Sequence, residues 1–311
     1  SLPKNFYRLR HLKRLYLDNN QFFSLPKDFG NLTELTDLDL SYNQLTSLPP
    51  SFSNLKNLKN LYLSRNQLCL LPEDFGHLTS LIELRLWGNR LRSLPATFTS
   101  MSNLKRLYLS RNKLQTLPKS FRDLRSLKEL DLAINQLHSL PLSLGNLSNL
   151  EKLYLFRNQL SSLPRSIGNL RQLTELELYN NQISSLPEEI GNLTSLKRLY
   201  LENNQLNSLP LSFKNFSCLE SLSFDGNPLE GMLELFWLSK NYSEFHIWIP
   251  NTLFDHPLLK NLERESLKPL PEYICPFCGG TKVVAGQKIA SQGKQIVDKC
   301  IFCVRCENII R

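Results

Sequence analysis

Leu104-Lys-Arg-Leu107-Tyr-Leu109-Ser-Arg-Asn112-Lys-Leu114-Gln-Thr-Leu117-Pro118-Lys-Ser-Phe121-Arg-Asp-Leu124 is one period of a pattern that runs through most of the chain. Within it, Leu107-Tyr-Leu109 alternates apolar and polar residues. That is a period of two, which predicts a strand; an array of amphipathic helices would need a spacing of 3.6. Asn recurs at positions 20, 43, 66, 89, 112, 135, 158, 181, 204 and 227, always 23 apart. Pro recurs at 3, 26, 49, 72, 95, 118, 141, 164, 187 and 210, each time after Leu. Two series in one register exclude an accident of composition.

Each position in the period has a physical task. Leu104, Leu107, Leu109, Leu114, Leu117, Phe121 and Leu124 are predicted to point inward. One coil cannot bury such a face alone, so the coils must stack. Asn112 ends the strand, and its amide both donates and accepts, which lets it satisfy backbone groups of neighbouring coils. Pro118 has no N–H and a fixed φ, so it stops the strand. The pieces Phe29-Gly-Asn-Leu32, Ile167-Gly-Asn-Leu170 and Ile190-Gly-Asn-Leu193 suit a short helical or 3-10 turn on the outer side.

The L-x-x-L-x-L-x-x-N-x-L unit at this period is the leucine-rich-repeat signature. With its Leu-Pro and Gly-Asn-Leu segments, the repeat resembles the 23-residue intracellular class. That class includes Ras-binding scaffolds, plant intracellular Ras-group proteins and the Erbin and Scribble group. The resemblance covers about residues 1–230 and implies an α/β solenoid, a horseshoe whose parallel sheet lines the concave side. It also implies a non-catalytic, cytoplasmic signalling scaffold whose partner is a protein such as a small GTPase. No residue is carried over as a GTPase contact.

The organisation expected is a solenoid over residues 1–230, a capping segment over 231–272 and a further module over 273–311. The middle segment has no period and is rich in aromatics, including Phe236, Trp237, Phe245 and Trp248. The chain begins inside a repeat, at Ser1-Leu2-Pro3, so further repeats or another domain are expected upstream.

The x positions of each strand face the concavity. Between the two Leu of L-x-L stand Tyr16, Asp39, Tyr62, Arg85, Tyr108, Asp131, Tyr154, Glu177, Tyr200 and Ser223, with Tyr on every second coil. The preceding row alternates basic or neutral residues with acids (Arg106, Glu129, Lys152, Glu175, Arg198) and reads as an exposed ion-pair ladder. The residue before the Asn adds Arg65, Arg111 and Arg157, without acids in their row. Exposed Tyr, Trp and Arg dominate interface energetics. The candidate partner-binding set is therefore Tyr62, Arg65, Arg85, Trp87, Tyr108, Arg111, Tyr154, Phe156, Arg157 and Tyr179. The competing reading is that these rings pack only on one another and on Arg stems.

Five of the seven Cys crowd the last 37 residues. Cys275-Pro-Phe-Cys278-Gly-Gly and Cys300-Ile-Phe-Cys303-Val-Arg-Cys306 have the spacing of paired zinc knuckles, four thiolates around one structural Zn²⁺. This predicts a small zinc-ribbon β module, with short strands at Lys282-Val-Val and Gln295-Ile-Val. Five Cys compete for four places: the favoured set is Cys275, Cys278, Cys303 and Cys306, and Cys300 with Cys303 is the other second pair. A redox CxxC is the alternative chemistry. The clustered thiols fit a reducing compartment.

The chain of 311 residues is 41% hydrophobic and 21% charged, with a formal net charge of +9. That excess is mild, and an acidic protein surface is a better match than a nucleic-acid duplex. Nucleic-acid binding through the ribbon, helped by Lys282, Lys288, Lys294 and Arg305, is the alternative. A recruitment region of a larger signalling enzyme, such as a GTPase-linked protein, is another. No apolar run is long enough to span a membrane. There is no phosphate loop, nucleophile elbow or triad, so the chain is not expected to be an enzyme.

Overall fold

The computed structural model describes residues 2–228 apart from Lys4, Asn5, Phe121 and Arg122, together with five short strands beyond them. Each repeat contributes one strand of three residues: β1 (Arg14–Tyr16), β2 (Asp37–Asp39), β3 (Asn60–Tyr62), β4 (Glu83–Arg85), β5 (Arg106–Tyr108), β6 (Glu129–Asp131), β7 (Lys152–Tyr154), β8 (Glu175–Glu177), β9 (Arg198–Tyr200) and β10 (Ser221–Ser223). They pair in parallel, each with the next in sequence, so equivalent residues 23 apart lie side by side, as Tyr62↔Arg85 and Arg85↔Tyr108 do. An eleventh strand, β11 (His246–Trp248), pairs in parallel with β10 and thus brings the expected capping segment to the end of the sheet. The rest of that segment lies outside the described residues.

The core is the repeat read inward. Leu104, Leu107, Leu109, Leu114 and Leu124 are fully buried, as are their counterparts in neighbouring coils. Burying one such side chain contributes about 2 kcal/mol, and stacking makes the core continuous from coil to coil. At the outer wall Phe29, Phe52, Phe75 and Phe98 stack with ring centroids 6.0–6.3 Å apart and planes within 9°. Leu144, Ile167 and Ile190 continue that column in aliphatic form.

The convex elements are single 3-10 turns such as Glu73–His77 and Arg165–Asn169, and the described residues contain no α-helix. The α/β label expected for the solenoid is corrected accordingly. Five residues separate Pro72 from Leu78 and Pro164 from Leu170, which is room for one tight turn. The Pro also does more than end the strand. It stands just before the turn, and its carbonyl accepts the first bond, from Phe75 N to Pro72 O at 3.0 Å and from Ile167 N to Pro164 O at 3.0 Å. Gly76 sits where these turns press together: a Cβ there would overlap the carbonyl oxygen of Thr97 in the next coil.

In the tail, β12 (Tyr273–Ile274) pairs antiparallel with β13 (Thr281–Lys282), and β14 (Ile301–Cys303) with β15 (Asn308–Ile310). The strand expected at Lys282 is present in part, and the one at 295–297 lies outside the described residues. So do Cys275, Cys278, Cys300 and Cys306; of the expected ligands only Cys303 has a described backbone, in β14.

Candidate functional site: the concave sheet

The site depends on how each strand ends. Asn112 is buried; its amide donates to Leu86 O at 3.0 Å and Leu109 O at 2.9 Å, and its oxygen accepts from Leu91 N at 3.0 Å. Asn66, Asn89, Asn135 and Asn158 repeat the pattern. This ladder ties each coil to the one before it and turns the chain inward. It requires a left-handed backbone at the residue before it. Tyr42, Arg65, Arg111, Ile134 and Arg157 all have φ of 53–54°, a region where Gly and Asn are at ease and β-branched residues are not. The row singled out in the sequence for Arg65, Arg111 and Arg157 is thus a row of conformationally costly positions, which the side-chain pattern alone did not disclose.

Between these turns the strand side chains form the concave wall. Arg85 lies between two rings, its guanidinium carbon 4.9 Å from the Tyr62 centroid and 5.5 Å from that of Tyr108. Its Nε donates to Glu83 Oε1 at 2.6 Å. Glu83 is only 4% exposed, and its other oxygen takes Arg106 Nη2 at 2.5 Å. Sequence reasoning missed Glu83 and Arg106 as the anchor of this cluster, having assigned that row only to exposed ion pairs. One rung away Arg65 stacks over Trp87 at 4.7 Å, and Tyr42 meets Trp87 edge-on at 6.0 Å. Tyr42 was also missed, although it shares the row of Arg65.

The wall changes character beyond β5. Tyr108 donates to Glu129 at 3.1 Å and Tyr154 to Glu175 at 3.3 Å. Burial, followed by the charge and hydrogen bond of Glu129, pushes the Tyr108 phenol up to about 12. Burial and the charge of Glu175 likewise raise Tyr154. Arg198 holds Glu175 through two bonds of 3.0–3.1 Å. Among the described residues Glu177 has no such clamp: burial first, then the charges of Glu175, Glu202 and Asp131, raise its carboxyl to about 7. Asp131 is raised chiefly by burial, and it accepts from Ala133 N at 3.0 Å. Phe156 and Tyr179 stack at 4.4 Å beside this acidic stretch. The ten candidate residues therefore fall into three groups: Tyr62, Arg85 and Tyr108; Arg65 and Trp87; Phe156 and Tyr179. Tyr154 stands with the acids, while Arg111 is exposed and Arg157 is held at its turn by a bond from its N to Tyr179 O at 2.9 Å.

The repeating coil, the Asn ladder and the parallel sheet agree with what comparison finds. A family model described as "Leucine-rich repeat region" matches residues 3–88 and 137–234, and one described as "Leucine rich repeat" matches 79–137. The chain belongs to the leucine-rich-repeat family. A leucine-rich-repeat protein of Leptospira interrogans is 34% identical, over 80% of this chain and 75% of that one, with a TM-score of 0.55. The leucine-rich-repeat domain of the type III effector XopL is 27% identical, over 68% and 75%, with a TM-score of 0.61. The plant peptide hormone receptor RGFR1, solved in complex with RGF2, is 28% identical with a TM-score of 0.69; the match covers 80% of this chain and 41% of the receptor. The comparison with curated proteins finds no match. Leucine-rich-repeat folds are commonly protein-interaction modules, and no enzyme family is matched. Among the described residues no helix is long and apolar enough to cross a membrane.

Proposed function

We propose that this leucine-rich-repeat chain is a non-catalytic scaffold that docks a protein partner on its concave sheet. The observation that carries the reading is the aromatic and guanidinium cluster of β3–β5, where Arg85 is sandwiched by two tyrosines and Trp87 lies under Arg65. These residue types lose little conformational entropy when a partner covers them, because their own contacts already hold them in place. RGFR1, of similar fold, is recorded holding RGF2, which is consistent with a bound polypeptide here. Trp87→Ala combined with Arg111→Glu is expected to remove a defined set of proteins from a pull-down out of source lysate. Those proteins are then identified by mass spectrometry, and an unchanged set rejects the reading.

For the tail we propose one structural Zn²⁺ held by Cys275, Cys278, Cys303 and Cys306. The two antiparallel strand pairs support it. Ile274↔Thr281 leaves residues 275–280 as the connection, and Cys303↔Asn308 leaves 304–307, so each CxxC falls where a pair of strands is joined. The same placement favours Cys303 with Cys306 over Cys300 with Cys303, because Cys300 precedes its strand. Native mass spectrometry before and after chelation is expected to show loss of one Zn per chain.

A further inference from the structure

We propose, resting on the docking role above, that two slots on the concave wall receive two basic side chains of a polyproline-type peptide, spaced i and i+3. One slot lies between Tyr108 and Tyr154 over Asp131, and the other between Tyr154 and Tyr200 over Glu177. The template for an occupied slot is inside the molecule. Between Tyr62 and Tyr108, two coils apart, the chain's own Arg85 lies within 5.5 Å of both ring centroids and is anchored by a carboxylate, Glu83. Two rings, a carboxylate and a cation complete that arrangement.

The next two slots repeat the rings and the carboxylate but carry no cation of their own in that row. Tyr108↔Asp131↔Tyr154 and Tyr154↔Glu177↔Tyr200 are consecutive register partners. Tyr108 and Tyr154 are anchored alike, each by its hydroxyl on the glutamate of the following coil. Rings two strands apart stand about 9.6 Å from each other, so a cation midway lies about 4.8 Å from each face, inside the range of attraction between a cation and a ring. In these slots Asp131 and Glu177 occupy the position that Arg85 fills in the first, placing negative charge between ring faces that favour positive charge. The charged groups around Glu177 are Glu175, Glu202 and Asp131 against Arg198, and Arg198 is already bound to Glu175. A cation entering from a partner relieves that imbalance.

The spacing selects the ligand. The slot centres are two strands, about 9.6 Å, apart. A polyproline II segment rises about 3.1 Å per residue with three residues per turn, so side chains at i and i+3 share a face about 9.3 Å apart. A β-strand ligand puts i and i+2 on one face at only about 6.7 Å.

The probe is a synthetic Pro-rich peptide containing Arg-Pro-Pro-Arg, titrated calorimetrically into the full chain. Controls carry Ala-Pro-Pro-Ala or Arg-Pro-Arg. The Arg-Pro-Pro-Arg peptide is expected to bind at least tenfold more tightly than either. Asp131→Asn and Glu177→Gln each remove a charge that strains the free protein, so folding is not at risk; each is expected to weaken binding about tenfold. Equal binding of the Ala control, equal binding of the shorter spacing, or insensitivity to Asp131→Asn and Glu177→Gln overturns the slots. If the peptide fails while Trp87→Ala with Arg111→Glu still abolishes protein capture, the slots fall and the docking role stands.

Discussion

Strands β3–β5 and β6–β9 share one backbone and have opposite surfaces. In the first stretch Arg85 and Arg106 hold one buried acid, Glu83, while Arg65 lies over Trp87 and Arg111 is exposed. In the second Asp131, Glu175 and Glu202 gather around Glu177, and burial pushes up the carboxyls of Asp131 and Glu177. Yet the Asn ladder is the same in both, with bonds of 2.9–3.0 Å at Asn89 and at Asn158. A leucine-rich repeat thus separates two tasks by position within the period. Consensus residues build a wall that does not depend on its load, and the x positions load it coil by coil.

The sharpest test of that separation is to cut the ladder in each stretch. Asn112→Ala and Asn158→Ala each strip a donor and an acceptor from buried backbone groups of two adjacent coils, and each is expected to cost about 3 kcal/mol. Urea unfolding should report the same loss for both; a twofold difference would mean that the surface charges feed back on the scaffold. Next in size is Glu83→Gln. Glu83 is buried and holds both Arg85 and Arg106, so its neutral amide should cost about 2 kcal/mol. Glu175→Gln, which among the described residues breaks one salt bridge, to Arg198, should cost about half as much.

Glu177→Gln has the opposite sign. Its folded carboxyl titrates at about 7, above the ordinary value of 4.5. The folded state therefore binds more protons than the unfolded one between those values, and stability falls as pH rises through that window. The amide cannot ionise, so the variant should gain about 1 kcal/mol over the parent at pH 8, allowing for screening by water, and nothing at pH 4. Melting curves at the two pH values decide it.

Sequence alone disclosed the coil, its inward leucines, the strand register and the concave rows, because a period of 23 leaves only one way to stack. It also placed Tyr62 and Tyr108 on alternate coils, from which the Arg85 sandwich follows. It did not disclose Glu83 as an anchor, since one letter in an alternating acid–base row looks like its neighbours until burial is known. The left-handed turns stayed hidden for a related reason: backbone φ is imposed by the Asn ladder, and the residues that bear it, Arg, Tyr and Ile, do not advertise it. The paired CxxC spacing of the tail is legible in the sequence in the same way as the repeat, and it is the ground on which Zn²⁺ is proposed there.

Ile134 gives the smallest effect and the cleanest one. It is the β-branched member of the left-handed row, at φ 54°, in the coil where the wall turns acidic. Its neighbours in that row are Arg111 at φ 53° and Arg157 at φ 53°, so the turn itself is common to both stretches. Asn tolerates this region because its short polar side chain can bond locally, whereas branching at Cβ crowds the following carbonyl. Ile134→Asn should therefore stabilise the chain by about 0.5–1 kcal/mol, less whatever apolar contact the half-buried Ile makes. The control is Arg111→Asn, which relieves a smaller strain, because Arg lacks the branch, and should gain less. If Ile134→Asn destabilises while Arg111→Asn does not, the isoleucine is retained for the contact its side chain makes, and its strained backbone is the cost of placing an apolar group between the basic and acidic halves of the wall.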